Sequence, residues 1–316
     1  MLLCGVRHCL GDGIVGDDMR SMFEEVRENV FKSWLLMIAF LLIIAGIGWI
    51  LGWYWGNVNI GLLIAVIFTI IYTLIMFYVG DKFILTMTGA KPASKKDYPH
   101  LVHTVEGLAV AAGLPTPQVY VIDDSALNAF ATGRDPKHAS ITVTSGLVKK
   151  MNRQELEGVV AHEMAHIRNL DIRTMMLAAV LVGVITLMSD FMLRSFLWGG
   201  KDNDRDSGSI GIILIIVGLV LAILAPLIAH LIRLAISRKR EFAADAGGAI
   251  LTRYPEGLAS ALEKIKNDPD PLVDNANRAT AHLFISTPFR KKSSWLSTIF
   301  ATHPPIEERI KRLRQM

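Results

Sequence analysis

The chain has 316 residues, a formal charge of +4 and 52% hydrophobic residues, with a positive mean hydropathy. That is too apolar for an ordinary soluble enzyme. The basic balance would suit nucleic acid, but the positive side chains gather around apolar stretches, which argues against that partner and for a lipid bilayer.

The N-terminus is Gly-rich and holds the two cysteines, Cys4 and Cys9, beside His8. It reads as a reduced, loosely ordered tail rather than a metal knuckle. No cleavable signal sequence is expected, because the apolar stretch starts late and runs too long. Met19 and Met22 open an amphipathic lead-in, so the first eighteen residues read as a start-site extension.

Between Lys32 and Asp81 no side chain is charged. The stretch is too long for one span and suits two, Trp34–Leu51 and Ile60–Val79, joined by the aromatic turn from Gly52 to Asn57. A second apolar pair follows. Ser207 to Ile232 makes a good span, whereas Thr174 to Ser189 is short and is interrupted beyond by Asp190 and Arg194. About four transmembrane helices are expected. The first turn carries no Lys or Arg, while Lys32, Lys82, Lys91, Arg173, Arg233 and Arg238 flank the spans on the other side. By the positive-inside rule both termini lie in the cytoplasm.

His162-Glu163-Met164-Ala165-His166 reads H-E-x-x-H. On a helix the two histidines, four apart, face one way and can grip one Zn²⁺, and Glu163 can take a proton from the attacking water. Asn152 and Glu155 form a capping-box pair that starts the helix, and Leu156, Val159, Val160 and Met164 give it a buried face. Hydrolytic zinc sites usually take a third protein ligand. A third histidine six residues on is excluded, because Ile172 stands there. Glu241 and Asp245, four apart in a small-residue context, offer a carboxylate ligand and an acceptor for the free ring N–H of a bound histidine. Glu256 and Glu263 are weaker candidates. Short links from His166 and Glu241 to the second apolar pair place the site close to the membrane surface.

Val119–Ile122 and Ser140–Thr144 alternate and are β-branched, reading as short strands. Between them Leu127–Thr132 reads as an edge strand beside the zinc helix, able to hold an extended peptide. Asn267–Asn277 and Arg290–Ser294 read as mobile loops. His303 precedes Pro304-Pro305 and a short helix. Glu307 and Glu308 suit that helix's N-terminal end, and Arg309, Lys311, Arg312 and Arg314 its C-terminal end. His303 can donate a hydrogen bond to the oxyanion of the reaction, or it can anchor the start of that helix.

Asn128 to Gly133, His162 to His166, Ser237 to Asp245 and Thr302-His303-Pro304-Pro305 together make the chain resemble HtpX-type membrane-bound zinc metalloproteases, with the CAAX prenyl endoproteases as more distant relatives. The resemblance covers nearly the whole chain beyond the tail. It implies one zinc at His162, His166 and Glu241, Glu163 as general base, and a substrate strand at Asn128, Ala129, Phe130 and Ala131. It also implies cleavage of damaged membrane proteins at the cytoplasmic face under stress.

The expected architecture is a polytopic membrane protein carrying a mainly α, gluzincin-like zincin domain with a small β-sheet. Its parts are an N-terminal cytoplasmic tail (1–32), a transmembrane hairpin (33–80), a first zincin part (81–173), a second hairpin (174–232) and a second zincin part (233–316). The alternative is a zinc-bound membrane scaffold or chaperone without catalysis, against which the intact Glu163 argues. A transporter is disfavoured because the first two spans hold no ionisable group. The expected partners are protein substrates and the bilayer, with no nucleic acid.

Overall fold

The computed structural model describes residues 14–54, 56–181, 218, 238–268, 283–285 and 304–316. The chain enters through a helical hairpin. Helix α1 (Ile14–Tyr54) runs without a break from the lead-in through the first apolar stretch, and α2 (Val58–Met87) returns. Within them Arg27–Trp49 and Val58–Met87 are long and apolar enough to cross a membrane. The turn closes through Gly56 at a φ of 79°, and Asn57 caps α2 by accepting from the Ile60 N–H at 3.2 Å. Near the turn the two backbones nearly touch: a Cβ added at Gly61 would stand 2.6 Å from Gly52 Cα. At the other end a groove opens between α1 and α2.

Beyond α2 a four-stranded sheet forms in the order β1-β2-β4-β3. It comprises β1 (Lys91–Pro92), β2 (Gln118–Ile122), β3 (Ala129–Gly133) and β4 (Ala139–Thr144), with α3 (Pro99–Ala112) between the first two. Strands β2 and β4 pair in parallel, Gln118 opposite Ser140, while β3 runs antiparallel to β4, Ala129 opposite Val143. Period-two alternation then sorts side chains between two faces. Ala129, Ala131, Ile141 and Val143 enter the main core, whereas Ile122 and Phe130 meet Ile84 at the foot of α2 and Met175 and Met176. The sheet is thus wedged between the main core and the helical hairpin.

After the short α4 (Ser145–Lys150), α5 (Arg153–Arg168) forms the centre of the core. Its capping box is complete: Asn152 accepts from the Glu155 N–H at 2.9 Å, and the Glu155 carboxylate accepts from the Asn152 N–H at 2.7 Å. Leu156, Val159, Val160 and Met164 are all buried, as their spacing demands. The chain reverses at Leu170, with φ at 58°, and a further helix, α6, occupies residues 171–181. Helices α7 (Arg238–Thr252) and α8 (Pro255–Lys266) then pack on α5, and α9 (Ile306–Leu313) closes the core. The apolar segment expected to make the rest of the second hairpin, His303, and the two loops beyond Asp268 lie outside the described residues.

Candidate metal centre

Helix α5 sets His162 and His166 one turn apart and aims both inward, where they are buried. Glu241 comes from the first turn of α7, which runs against α5 because glycine allows it: a Cβ at Gly248 would stand 3.0 Å from His162 N. The two Nε2 atoms are 3.2 Å apart. Glu241 places Oε1 3.6 Å from His166 Nε2 and Oε2 4.0 Å from His162 Nε2. One ligand atom from each of the three residues lies within 4.8 Å of the others. Ligands about 2.0–2.1 Å from a tetrahedral zinc stand about 3.3 Å apart, so the set fits a cation of that kind with a small closing movement of the carboxylate.

The outer nitrogens of both rings are held by carboxylates. Asp245 stands 3.0 Å from His162 Nδ1 and Asp171 stands 2.9 Å from His166 Nδ1. With those Nδ1 atoms donating, the Nε2 lone pairs are turned towards the shared centre. Asp245 thus sits one turn beyond Glu241 where the sequence puts it. Asp171 was not foreseen. It follows the reversal at Leu170, which folds it back onto His166.

Arg309 was also not foreseen in this position. The sequence suits it to the exposed end of a helix dipole, yet α9 buries it almost completely. Its Nε and Nη2 donate to the two oxygens of Asp245 at 2.9 and 2.7 Å, and its Nη1 donates to Ile285 O at 3.2 Å. The guanidinium also lies 3.5 Å from Glu241 Oε2. Glu256 and Glu263, the weaker candidate ligands, instead pair with Arg314 on the surface.

Burial pulls the His162 imidazole down to about 4, against the opposing hydrogen bond from Asp245. At His166 burial acts the same way, but the bond and charge of Asp171, with Glu241 and Glu163, outweigh it and raise the ring to about 9. Glu163 is pushed up to about 7 by burial; Glu241 adds to this, and His166, Arg309 and the Ala131 N–H oppose it. Burial also raises Asp245, but Arg309 and His162 hold it at about 2. The pocket gathers four acids, Glu163, Asp171, Glu241 and Asp245, around two imidazoles and the cation Arg309, with Arg240 beside Asp171, an excess of negative charge that favours a further cation.

Strand β3 is the last strand of the sheet, and all five of its residues are buried. Asn128 turns its backbone towards β4, its oxygen accepting from the Thr144 N–H at 3.0 Å. Ala129 and Ala131 turn theirs outwards. Ala129 O accepts from the Ile285 N–H at 2.8 Å, and the Ala131 N–H reaches the Glu163 carboxyl. Phe130 packs edge-on against Phe284, their rings 5.0 Å apart.

A buried histidine pair and a glutamate from the next packed helix, beside a β-strand, define a metallopeptidase, and the chain belongs to peptidase family M48, whose model matches residues 95–316. It is a membrane protease of the HtpX type. It is 49% identical over 299 residues to a protease HtpX homolog of Caldanaerobacter subterraneus subsp. tengcongensis, covering 94% of this chain and 98% of that one. A homolog of Dictyoglomus turgidum is 43% identical over 296 residues (94% and 95%), and one of Streptococcus gordonii 42% over 300 residues (93% and 100%). The crystal structure of S. mikatae Ste24p matches with a TM-score of 0.48 and 22% identity, over 88% of this chain and 62% of that one.

Proposed function

We propose that the chain is a zinc-dependent endopeptidase that cleaves damaged or misfolded membrane proteins at the cytoplasmic face, as part of a stress response. The observation that carries this reading is the convergence of His162, His166 and Glu241 beside Glu163 and the outer edge of β3. One zinc per chain, held by those three ligands, suits an N,N,O set with room left for water. When bound, zinc supplies Lewis acidity, bringing the pKa of water towards ~7 and polarising a carbonyl.

The chain's own groups do the rest. Asp245 and Asp171 fix the two imidazoles, and Arg309 fixes Asp245. The Glu163 carboxylate takes a proton from the attacking water and later returns it to the nitrogen of the leaving amine. The substrate strand expected at Asn128–Ala131 narrows to Ala131, because Asn128 turns its backbone towards β4 and Ile285 engages Ala129 O, and an extended substrate pairs from there by strand addition. His303 donates to the oxyanion that develops on the scissile carbonyl. Zincin-type topology, four spans and the division into a tail, two hairpins and two zincin parts complete the reading. The uncharged run from Ser207 to Ile232 supports the last span and the positive flanks support the cytoplasmic face.

The test is hydrolysis of casein by detergent-purified protein, with zinc and with a chelator. Wild type should cut only when metal is present. Glu163→Gln should retain zinc and lose proteolysis, while Glu241→Ala should lose both. A wild-type protein that holds a full equivalent of zinc and cuts nothing would instead be a scaffold. Full metal retention by Glu241→Ala would remove the third ligand from the site.

A further inference from the structure

On the metal-site side α1 and α2 leave an apolar groove of about 530 Å³ that Arg173 of α6 helps to line. Its walls run from Val30 to Leu41 on α1 and from Thr69 to Tyr78 on α2. Two of the hydroxyls that line it are bonded to their own helix, Ser33 to Asn29 O at 2.8 Å and Thr69 to Ala65 O at 2.8 Å, and most of the other lining side chains are hydrocarbon.

Length and charge point to what the groove holds. Eleven helical steps from Val30 to Leu41 make about 16 Å, close to half of the ~30 Å hydrocarbon core. Deeper in the membrane the hairpin closes, since Gly48, Gly61 and Ala65 bring the two helices into contact. The groove is therefore one leaflet deep, too short for a transmembrane helix and the right length for an acyl chain.

At the mouth, at headgroup level, Arg173 stacks over the Phe77 ring and donates from Nε to Arg134 O at 2.8 Å. Among the described residues no ion pair joins Arg173 to an acid. Arg134 stands next to it over the Tyr78 ring, with Asp135 3.6 Å from its own guanidinium. Arg173 is the cation left to meet an anion arriving from the bilayer.

We propose that this groove binds one anionic phospholipid from the leaflet on the metal-site side, with an acyl chain between α1 and α2 and its phosphate on Arg173. The site touches no metal ligand and rests only on α1 and α2 spanning a membrane, so it stands or falls apart from the peptidase reading. The lipid would brace the hairpin against α6, which leads directly from the metal centre.

The test uses the full chain in detergent, with lipid retention counted by native mass spectrometry. Phosphatidylglycerol is the probe, phosphatidylcholine the zwitterionic control and glycerol phosphate the headgroup without a chain. Wild type should retain one phosphatidylglycerol with a preference of about fivefold over phosphatidylcholine, the effect of one interfacial cation. Arg173→Gln should abolish the preference, and Thr73→Trp, which fills the groove, should lower retention of both lipids. An unchanged preference in Arg173→Gln overturns the proposal, as does glycerol phosphate binding as tightly as the lipid. Displacement of the lipid by a single-span apolar peptide would likewise give the groove to a protein helix. If Arg173→Gln does not fold, Thr73→Trp decides: undiminished retention overturns the site.

Discussion

Asn29 and Asp171 are 142 residues apart in the chain and 2.7 Å apart in space, the Asn29 amide donating to Asp171 Oδ1. The other oxygen of Asp171 holds His166 Nδ1, so the foot of the first membrane helix is one residue removed from the metal centre. Asn29 also donates to Asn169 O at 2.9 Å and accepts from Arg240 Nη1 at 2.6 Å. It therefore ties together α1, the reversal after α5 and the start of α7, the helix that brings Glu241. Asp171→Asn should keep all three ligands yet weaken zinc binding by about 10–100-fold, as losses at a ligand's outer partner do. Asn29→Ala should leave the buried groups it satisfies without partners and cost about 1–3 kcal/mol. Chelator competition reads the first and thermal melting the second. Wild-type zinc affinity in Asp171→Asn would mean that packing alone orients His166.

Arg309 carries a different kind of dependence. It is a buried cation whose fork matches Asp245 bidentately, with Glu241 close by. Arg309→Met removes the positive charge and leaves two carboxylates facing each other, for which the expected cost is about 3–5 kcal/mol. Arg309→Lys should recover only part, because a point charge cannot serve both oxygens. Zinc should narrow the gap, because without the Arg309 charge beside Glu241 the variant gains more from a bound cation than wild type does. Melting of each variant with zinc and with chelator measures this. A melting temperature for Arg309→Met equal to wild type in chelator would show that the pair contributes nothing.

These two residues also mark where the sequence stops being legible. His162, Glu163 and His166 are readable because one helical turn fixes their relation, and Glu241 with Asp245 for the same reason. The two central strands and the capping box are equally local, and they appear within a residue or so of where alternation and spacing put them. Asp171 depends on a left-handed backbone at Leu170, a residue type that gives no warning of it. Arg309 looks like one of several cations at the end of an exposed helix, and only the docking of α9 onto α8 and α7 shows that it is buried. The parallel pairing of β2 with β4 is a long-range choice of the same kind.

Gly248 offers a test of how closely the two ligand-bearing helices must approach. A Cβ there would press on His162 N at 3.0 Å and on His162 Cα at 3.3 Å, so Gly248→Ala must push α7 off α5 by a few tenths of an ångström. Glu241 and Asp245 move with α7. The expected result is a fall in kcat/KM of about tenfold or more, since a misplacement of ~1 Å can cost about 100-fold. The control is Gly107→Ala in α3, where nothing lies within 4 Å of the added atom. That change should leave activity intact and favour the helix by up to ~1 kcal/mol. Equal activity in the two variants would mean that the helices can separate without disturbing the site.

The proposed cytoplasmic placement of the site is open to a direct check with an impermeant thiol reagent on intact cells. Cys4 and Cys9 are first replaced by serine, so that the only thiol is the one introduced. Asn57 caps α2 at the hairpin turn and is exposed, so Asn57→Cys should be labelled from outside. On the metal-site side the reporter must be accessible in the folded protein. Ser145 is buried and would be protected on either face, whereas Val110 on α3 is 81% exposed. Val110→Cys should therefore resist labelling in intact cells and react once they are permeabilised. The expectation rests on Lys32, Lys82, Lys91 and Arg173 lying at one end of the hairpin and no Lys or Arg at the other. Labelling of Val110→Cys but not Asn57→Cys in intact cells would reverse the orientation, move the metal centre outside the cytoplasm and remove cytoplasmic-face substrates from the proposal.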